Sequence, residues 1–267
     1  MPLEIFFHSR TALQKKLEKA KASEPLDENK VADLNIAANF ADEEFEVTRT
    51  NFEHLVAAGD ITWNLLWAIF SPNILMYRYH PLVEQHQILK IRTIKQVTRP
   101  DKSRYWSLNC HVVADDGVKF GLAYEPFSMA IEEFDGVRKI TDLHVFPLEY
   151  HENATQIRTD LLSRGRRFAA LNKPRVMETS GPAMFEKRDS LRRAHAYKFS
   201  SNGRAIVDPA SFRSSNPNIE FMPRVHRSLS RDRLTEEELL ICTPVALGFC
   251  FGNKKWGMWS MLVSLAV

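Results

Sequence analysis

Two histidines and a glutamate lie close together in the sequence, and side chains of these types can bind zinc or exchange protons with a substrate. They are His144, Glu149 and His151. A small metal-dependent hydrolase could use such a set, since imidazole nitrogens and carboxylate oxygens are common zinc ligands. The three residues lie on both sides of Pro147, and their spacing fits neither one helical face nor a known ligand pattern. The sequence therefore predicts no metal and no catalytic residue, with the hydrolase as the alternative.

The three cysteines could supply a nucleophile or a disulfide. Cys110 directly precedes His111, but neighbouring residues of a strand point to opposite faces and cannot share a proton. Cys242 follows a short helical pattern and Cys250 lies in an apolar run. An odd number of cysteines without CxxC spacing favours a reducing interior, cytoplasmic or nuclear. We expect all three cysteines to be buried as small apolar side chains.

A phosphate-binding loop of the form GxxxxGK[ST] would indicate nucleotide chemistry. Gly248 and Gly252 precede Lys254, but the glycine spacing is one residue short and no Ser or Thr follows the lysine. The sequence therefore predicts no ATP binding, no cofactor and no enzymatic activity for this chain.

Two arginine clusters remain as candidate binding surfaces. They are Arg158, Arg164, Arg166 and Arg167 in a predicted helix, and Arg224, Arg227, Arg231 and Arg233 in a Ser-rich stretch. Neither cluster has the interleaved aromatic residues that are typical of a single-strand nucleic-acid platform, and the net charge of +3 is mild. We expect a protein partner and no nucleic acid, with the helix cluster as the candidate partner surface. Weak nucleic-acid binding is the alternative.

Helical patterns occur near both ends of the chain and in its middle. Residues 11–22 form a narrow amphipathic stripe, and a helix that ends at Gly59 is followed by a second one over 60–70. Asn153 can cap a helix whose apolar stripe is Ile157, Leu161, Phe168 and Leu171. Thr235 and Glu238 form a capping box for a last short helix.

Strand patterns fill the stretch between the first and middle helices. Four runs over 74–79, 87–97, 105–114 and 118–125 are typical of a sheet with one buried face. Asp116-Gly117 between the last two runs predicts a hairpin turn. Asn202-Gly203 predicts a second hairpin between the runs 194–200 and 204–208, and it is the stronger turn signal.

Together these patterns predict an α+β fold with an antiparallel, strand-rich core, barrel-like or sandwich-like, flanked by helices. The chain of 267 residues divides into a mobile helical N-terminal arm over 1–39, a recognition domain over 40–256 and an apolar tail over 257–267. A polar linker over 213–233 lies within the domain. No segment is typical of a signal peptide or a transmembrane helix, so we expect no membrane partner.

Four ordered segments carry a resemblance to a known family. They are GDITWNLLWAIFSPNILMY from Gly59, the stretch 132–171 with FDGVRKITDLHVFPLEYH, NGRAIVDPASFRSSNPN from Asn202, and LTEEELLICTPVALGFCFGNKKW from Leu234. Over residues 43–256 the chain resembles the uncharacterised N-terminal domain of fungal AAA+ ATPases. That family has no assigned catalytic residues to transfer.

The resemblance implies a recognition or regulatory domain that selects partners or substrates for an ATPase module following it. Full-length relatives are then expected to be hexameric, and this chain alone to be monomeric. The tail GMWSMLVSLAV departs from the family, in which polar sequence would lead toward the ATPase module. We expect it to be either an apolar docking peptide or the product of a truncated gene model.

Overall fold

The computed structural model describes residues 4–127 and 129–261, and its internal contacts divide the chain into two units. The first unit is Met1–Ser71 with Glu133–Leu143, and the second is Pro72–Glu132 with His144–Val267. The helices are α1 Glu4–Lys21, α2 Glu28–Glu44, α3 Glu46–Ala57, α4 Leu66–Ile69, α5 Ala154–Ala169, α6 Pro209–Ser215 and α7 Glu236–Leu240. None of these helices is long and apolar enough to cross a membrane.

The strands alternate with these helices, and the α+β class predicted from the sequence is confirmed. They are β1 Asp60–Thr62, β2 Leu75–His80, β3 Gln85–Thr98, β4 Arg104–Asp115, β5 Phe120–Tyr124, β6 Met129–Glu132, β7 Val137–Lys139, β8 Phe146–Pro147, β9 Arg175–Arg188, β10 Ala194–Val207, β11 Val225–Ser228, β12 Val245–Cys250 and β13 Lys255–Ser260.

The first unit contains the predicted helical N-terminal arm. The ring of Phe7 on α1 lies 5.7, 5.7 and 4.9 Å, between centroids, from those of Phe45, Phe52 and Trp67. Such edge-to-face contacts add to the burial of apolar area. The helix α2 runs on through residue 39, where the sequence placed the end of the arm, to Glu44. The arm therefore packs against α3 and α4 through aromatic side chains.

The helix predicted over 60–70 is wrong for most of its length. Gly59 ends α3 with a positive φ of 72°, and Asp60–Thr62 then forms β1, paired with β7. An ion pair of 2.8 Å between Lys139 Nζ and Asp60 Oδ1 accompanies this pairing. Only the four residues of α4 are α-helical. The partner strand lies far along the sequence, so local periodicity could not indicate it.

The second unit begins with a seven-stranded antiparallel sheet in the order β11-β5-β4-β3-β2-β8, in which β6 also pairs with β4. The four strand runs predicted between residues 74 and 125 are confirmed as β2 to β5. Cys110, Val112 and Ala114 are buried on one face of β4, as the alternation predicted, but His111 and Val113 of the other face are buried as well. The turn at Asp116-Gly117 is also confirmed, and Gly117 has a φ of 80°.

The strands β9, β10, β12 and β13 close into a barrel. The predicted hairpin at Asn202-Gly203 is wrong, because β10 runs without interruption through both residues and pairs with β9 along its whole length. The actual turn lies at Asp189–Arg193, where the Asp189 carboxylate accepts hydrogen bonds from the Leu191 and Arg193 amides, each 2.9 Å long. Gly203, with a φ of 93°, lies inside the strand instead.

The segment 213–233, predicted to be a polar linker, takes part in the fold. It begins in α6 and contains β11, and Met222 is buried in one hydrophobic cluster with Phe212. Four residues of the predicted apolar tail, 257–260, belong to β13, where Trp259 is 2% exposed. They are a barrel strand rather than an appended peptide, and residues 262–267 lie outside the described part.

Asp116 joins three elements of the second unit. Its Oδ1 accepts hydrogen bonds of 2.9 and 2.8 Å from the Val118 and Lys119 amides within the β4–β5 turn. Its Oδ2 accepts a 3.0 Å bond from the buried Val225 amide of β11, and its carbonyl accepts one of 3.1 Å from Arg213 of α6. This single buried residue therefore fixes β11 and α6 against the turn.

We expect Asp116→Asn to lower the free energy of unfolding by about 2 kcal/mol. The amide replaces one accepting oxygen with a donor, so at least one buried backbone N–H loses its acceptor. Urea unfolding followed by tryptophan fluorescence measures the change. Asp232→Asn is the matched control, because Asp232 is exposed. Equal midpoints for the two variants would contradict the role given to Asp116.

Candidate functional site

The helix α5 carries the residues that the sequence nominated as a partner surface. Its apolar stripe is confirmed, since Ile157, Leu161 and Phe168 are all buried. Asn153 occupies the N-cap position but makes no capping hydrogen bond with its side chain. The stripe fastens α5 to the second unit and leaves its opposite side in solvent.

The four arginines of α5 do not share one surface. Arg158 and Arg166 are exposed and Arg167 is half-buried, whereas Arg164 is only 1% exposed. The candidate surface is therefore corrected by the removal of Arg164. Residue 164 follows Leu161 by three positions and precedes Phe168 by four, so helical periodicity places it in the apolar stripe. That spacing was readable in the sequence but was overlooked because the residue is charged.

Arg164 is a buried cation held by neutral acceptors. Its Nη1 donates to Gln85 Oε1 at 3.2 Å and to the His86 carbonyl at 2.6 Å, and its Nη2 donates to the Cys242 carbonyl at 3.4 Å. Burial lowers the pKa of Arg164 to about 10. These bonds tie α5 to the start of β3 and to the residues that follow α7.

The close approach of α5 and α7 also depends on Gly165. A Cβ atom at this position would clash with the backbone carbonyl of Leu239. Thr235 and Glu238 form the predicted capping box at the start of α7, with both reciprocal hydrogen bonds present. Backbone packing and the guanidinium of Arg164 thus hold α7 and the residues that follow it against α5.

His144, Glu149 and His151 are not brought together as a set of ligands. His144 and Glu149 are exposed, whereas His151 is half-buried with its ring 4.3 Å, between centroids, from that of Tyr77. The Nδ1 of His151 accepts a 3.0 Å hydrogen bond from the Asn153 amide. Over residues 4–127 and 129–261, no group of three or more His, Cys, Asp or Glu side chains could hold a metal ion.

One part of the chain matches a known family model. Residues 51–152 match the family model described as Domain of unknown function (DUF7025). The DUF7025 match spans β1 to β8 and includes His144, Glu149 and His151, whereas α5 and the barrel lie beyond it. Neither a curated protein nor a solved structure matches the chain.

Within the DUF7025 match lies a cluster of rings that the sequence analysis did not identify. Tyr77 Oη and His86 Nδ1 are 2.8 Å apart, and the rings of Tyr79 and His151 adjoin them. Partial burial and the neighbouring His151 lower the pKa of His86, and burial raises the pKa of Tyr77. At neutral pH the pair is therefore a neutral phenol and a neutral imidazole, which can share one hydrogen bond. The alternation of Tyr77 and Tyr79 was the available signal.

A second ring cluster lies on neighbouring strands of the same sheet. The centroids of His111, Tyr124 and His226 are 4.8 to 4.9 Å apart. Burial, and next the charge of His226, lowers the pKa of His111 to about 4. His226 is placed there by β11, which lies far along the sequence from β4, so no local pattern indicates this cluster.

The cysteines are buried as predicted, and no disulfide joins them. Burial raises the pKa values of Cys110 and Cys242 to about 12, so both remain thiols at neutral pH. A thiol is a far weaker nucleophile than a thiolate. The Sγ of Cys250 donates to Asn253 Oδ1 at 3.0 Å near one end of the barrel.

His80, the last residue of β2, is the most deeply buried histidine among the described residues. It is 3% exposed, and its ring packs edge-on against Phe127 with centroids 5.2 Å apart. Burial, and next the positive charge of Arg78, lowers the pKa of His80 from 6.5 to about 3. The folded chain therefore keeps His80 neutral at pH values at which the unfolded chain binds a proton.

We expect the free energy of unfolding to fall as the pH drops below about 6.5. Below that pH the unfolded chain binds a proton at His80 that the folded chain does not bind until about pH 3. His80 contributes up to about 1.4 kcal/mol for each pH unit between 6.5 and about 3. His80→Leu should flatten this slope in urea titrations at several pH values. His54→Leu, at an exposed position, should leave the slope unchanged. A slope that is the same in the His80 variant and the wild type would contradict this origin.

Proposed function

We propose that this chain is a non-catalytic recognition or regulatory domain that binds a protein partner or substrate for a fungal AAA+ ATPase. The four sequence segments that resemble such N-terminal domains support the proposal, and the DUF7025 match supports an uncharacterised domain in the same region. The proposed location is the cytoplasm or the nucleus. In the whole ATPase, catalysis belongs to a separate module.

The observation that carries this proposal is the rigid presentation of Arg158 and Arg166 on α5. Both side chains are exposed, while the opposite side of the helix is fixed by its apolar stripe and by Arg164. A separation of eight residues places them about 12 Å apart along the helix axis. Two cations on a fixed helix suit an acidic segment of a partner, since little backbone freedom remains to be lost on binding.

The state of the reactive groups also supports binding rather than chemistry. The thiols of Cys110 and Cys242 are buried and protonated at neutral pH. His144 and Glu149 are exposed, away from the ring contacts of His151. By contrast, the side chains of Arg158 and Arg166 are exposed to solvent.

The test is a charge reversal in the longer protein that carries the ATPase module. Partners are first identified by cross-linking in the native host, and the leading one is purified and titrated by calorimetry. We expect Arg158→Glu with Arg166→Glu to weaken its binding at least tenfold, because two attractive pairs become repulsive. Basal ATP hydrolysis should stay unchanged.

Arg224→Glu with Arg227→Glu is the matched control. Both residues are exposed, and the change in net charge is the same. An equal loss of binding in the two double variants would show a general charge effect and overturn the α5 surface. Failure of the wild-type protein to bind any purified partner would overturn the recognition proposal itself.

A further inference from the structure

The β9–β10 ribbon extends past the rest of the barrel. In the described part of the chain, β13 pairs with β9 only at Ala183 and Met184, and β12 pairs with β10 only at Ala205–Val207. The end of the ribbon, from residue 185 to residue 197, lies beyond both contacts. The barrel holds this arm at one end, and Glu186 and Arg188 hydrogen-bond to residues 218–221 along one of its faces.

The register of the ribbon gathers aromatic side chains on one face, which we call the ring face. Tyr197 lies opposite Phe185, His195 opposite Lys187 and Phe199 opposite Ala183. Directly opposed residues of an antiparallel pair share a face, and so do residues two apart in one strand. The ring face is thus His195, Tyr197, Phe199, Phe185 and Lys187.

The rings of this face form a continuous surface with a cation beside it. Phe185 stacks on Tyr197 with centroids 5.7 Å apart and meets Phe199 at 5.9 Å. The Lys255 Nζ lies 4.7 Å from the Phe185 centroid and 5.9 Å from that of Phe199. Tyr197 is 45% exposed, so much of its ring remains open to a ligand.

The charges of the ribbon are divided between its two faces. On the other face, Arg188 pairs with Glu220 at 2.9 Å and Lys198 pairs with Glu84, so carboxylates from other elements neutralise both cations. On the ring face, Lys187 and Lys255 are exposed. The carboxylate that reaches this end is that of Asp189, which contacts Arg193 at 2.9 Å and His195 at 3.0 Å.

The ribbon end carries a positive formal charge. Residues 185–199 contain five Lys or Arg and two Asp or Glu, which gives +3. Glu220 and Glu84 compensate two of these charges and leave +1, to which Lys255 of β13 adds one more. Uncompensated cations beside exposed rings attract a polyanion in preference to a neutral ligand.

We propose that the ring face of the β9–β10 ribbon binds single-stranded nucleic acid. Bases stack on Tyr197 and His195, while Lys187 and Lys255 contact phosphates. The strand rises about 3.4 Å per residue, so the distance from His195 to Phe199, about 13 Å, accommodates about two nucleotides. The arginine clusters of α5 and of 224–233 lack interleaved aromatic residues in the sequence. In the β9–β10 ribbon, strand pairing brings aromatic rings next to cations.

The experiment is fluorescence anisotropy of the whole chain with fluorescein-labelled oligothymidylate and oligouridylate, over about 50 to 200 mM salt. Two phosphate contacts predict a slope of about −1.4 for the logarithm of the binding constant against that of the salt concentration. Lys187→Ala should reduce this slope by about 0.7. Tyr197→Ala should weaken binding about tenfold with the slope unchanged, and Tyr197→Phe should restore binding because a phenyl ring also stacks.

Two controls separate this site from general charge. Lys198→Ala removes a cation from the opposite face of the same strand, and Arg158→Ala removes one from α5, and both should leave the affinity unchanged. The proposal is overturned if neither oligonucleotide binds at low salt, or if Tyr197→Ala binds as well as the wild type. It is also overturned if a polyglutamate peptide displaces the oligonucleotides as well as an unlabelled oligonucleotide does and Tyr197→Ala leaves the affinity for that peptide unchanged. The face would then recognise acidic protein.

Discussion

Polar groups buried in the second unit must find hydrogen-bond partners, and this requirement determines where its distant segments lie. Arg164 donates through its two Nη atoms to the carbonyls of His86 and Cys242, so α5 is fixed between the start of β3 and the residues that follow α7. Asp116 satisfies the Val225 amide and thereby fixes β11. An unpaired buried group is strongly destabilising, so these contacts restrict the arrangement more than apolar packing alone could.

The same requirement explains which side chains remain available for binding. Arg164 is buried, so its guanidinium and the apolar stripe of α5 together hold the helix in place. Arg158 and Arg166 remain exposed to solvent. On the β9–β10 ribbon, Arg188 and Lys198 are paired with carboxylates of other elements, and the ring face keeps its cations. Two separate positive surfaces result, one on a rigid helix and one on an extended arm.

Local patterns in the sequence were sufficient for much of the fold. The strands β2 to β5, the turn at Asp116-Gly117, the stripe of α5 and the capping box of α7 were all predicted, because each depends on residues close in sequence. The predictions failed where a distant partner decided the structure. Residues 60–62 pair with β7, and β10 continues through Asn202-Gly203 because β9 pairs with it on both sides of that point.

The sequence by itself determined the fold class, the burial of the cysteines and the lack of a ligand pattern at His144, Glu149 and His151, since composition and short-range spacing decide these. Only the tertiary structure decided the ring cluster around His111 and the ring face of the ribbon. The first takes His226 from the distant strand β11, and the second depends on the register of β9 with β10. The charge of a residue does not by itself show whether its side chain is buried. Arg164 is buried and holds α5 in place, whereas Arg158 of the same helix is exposed.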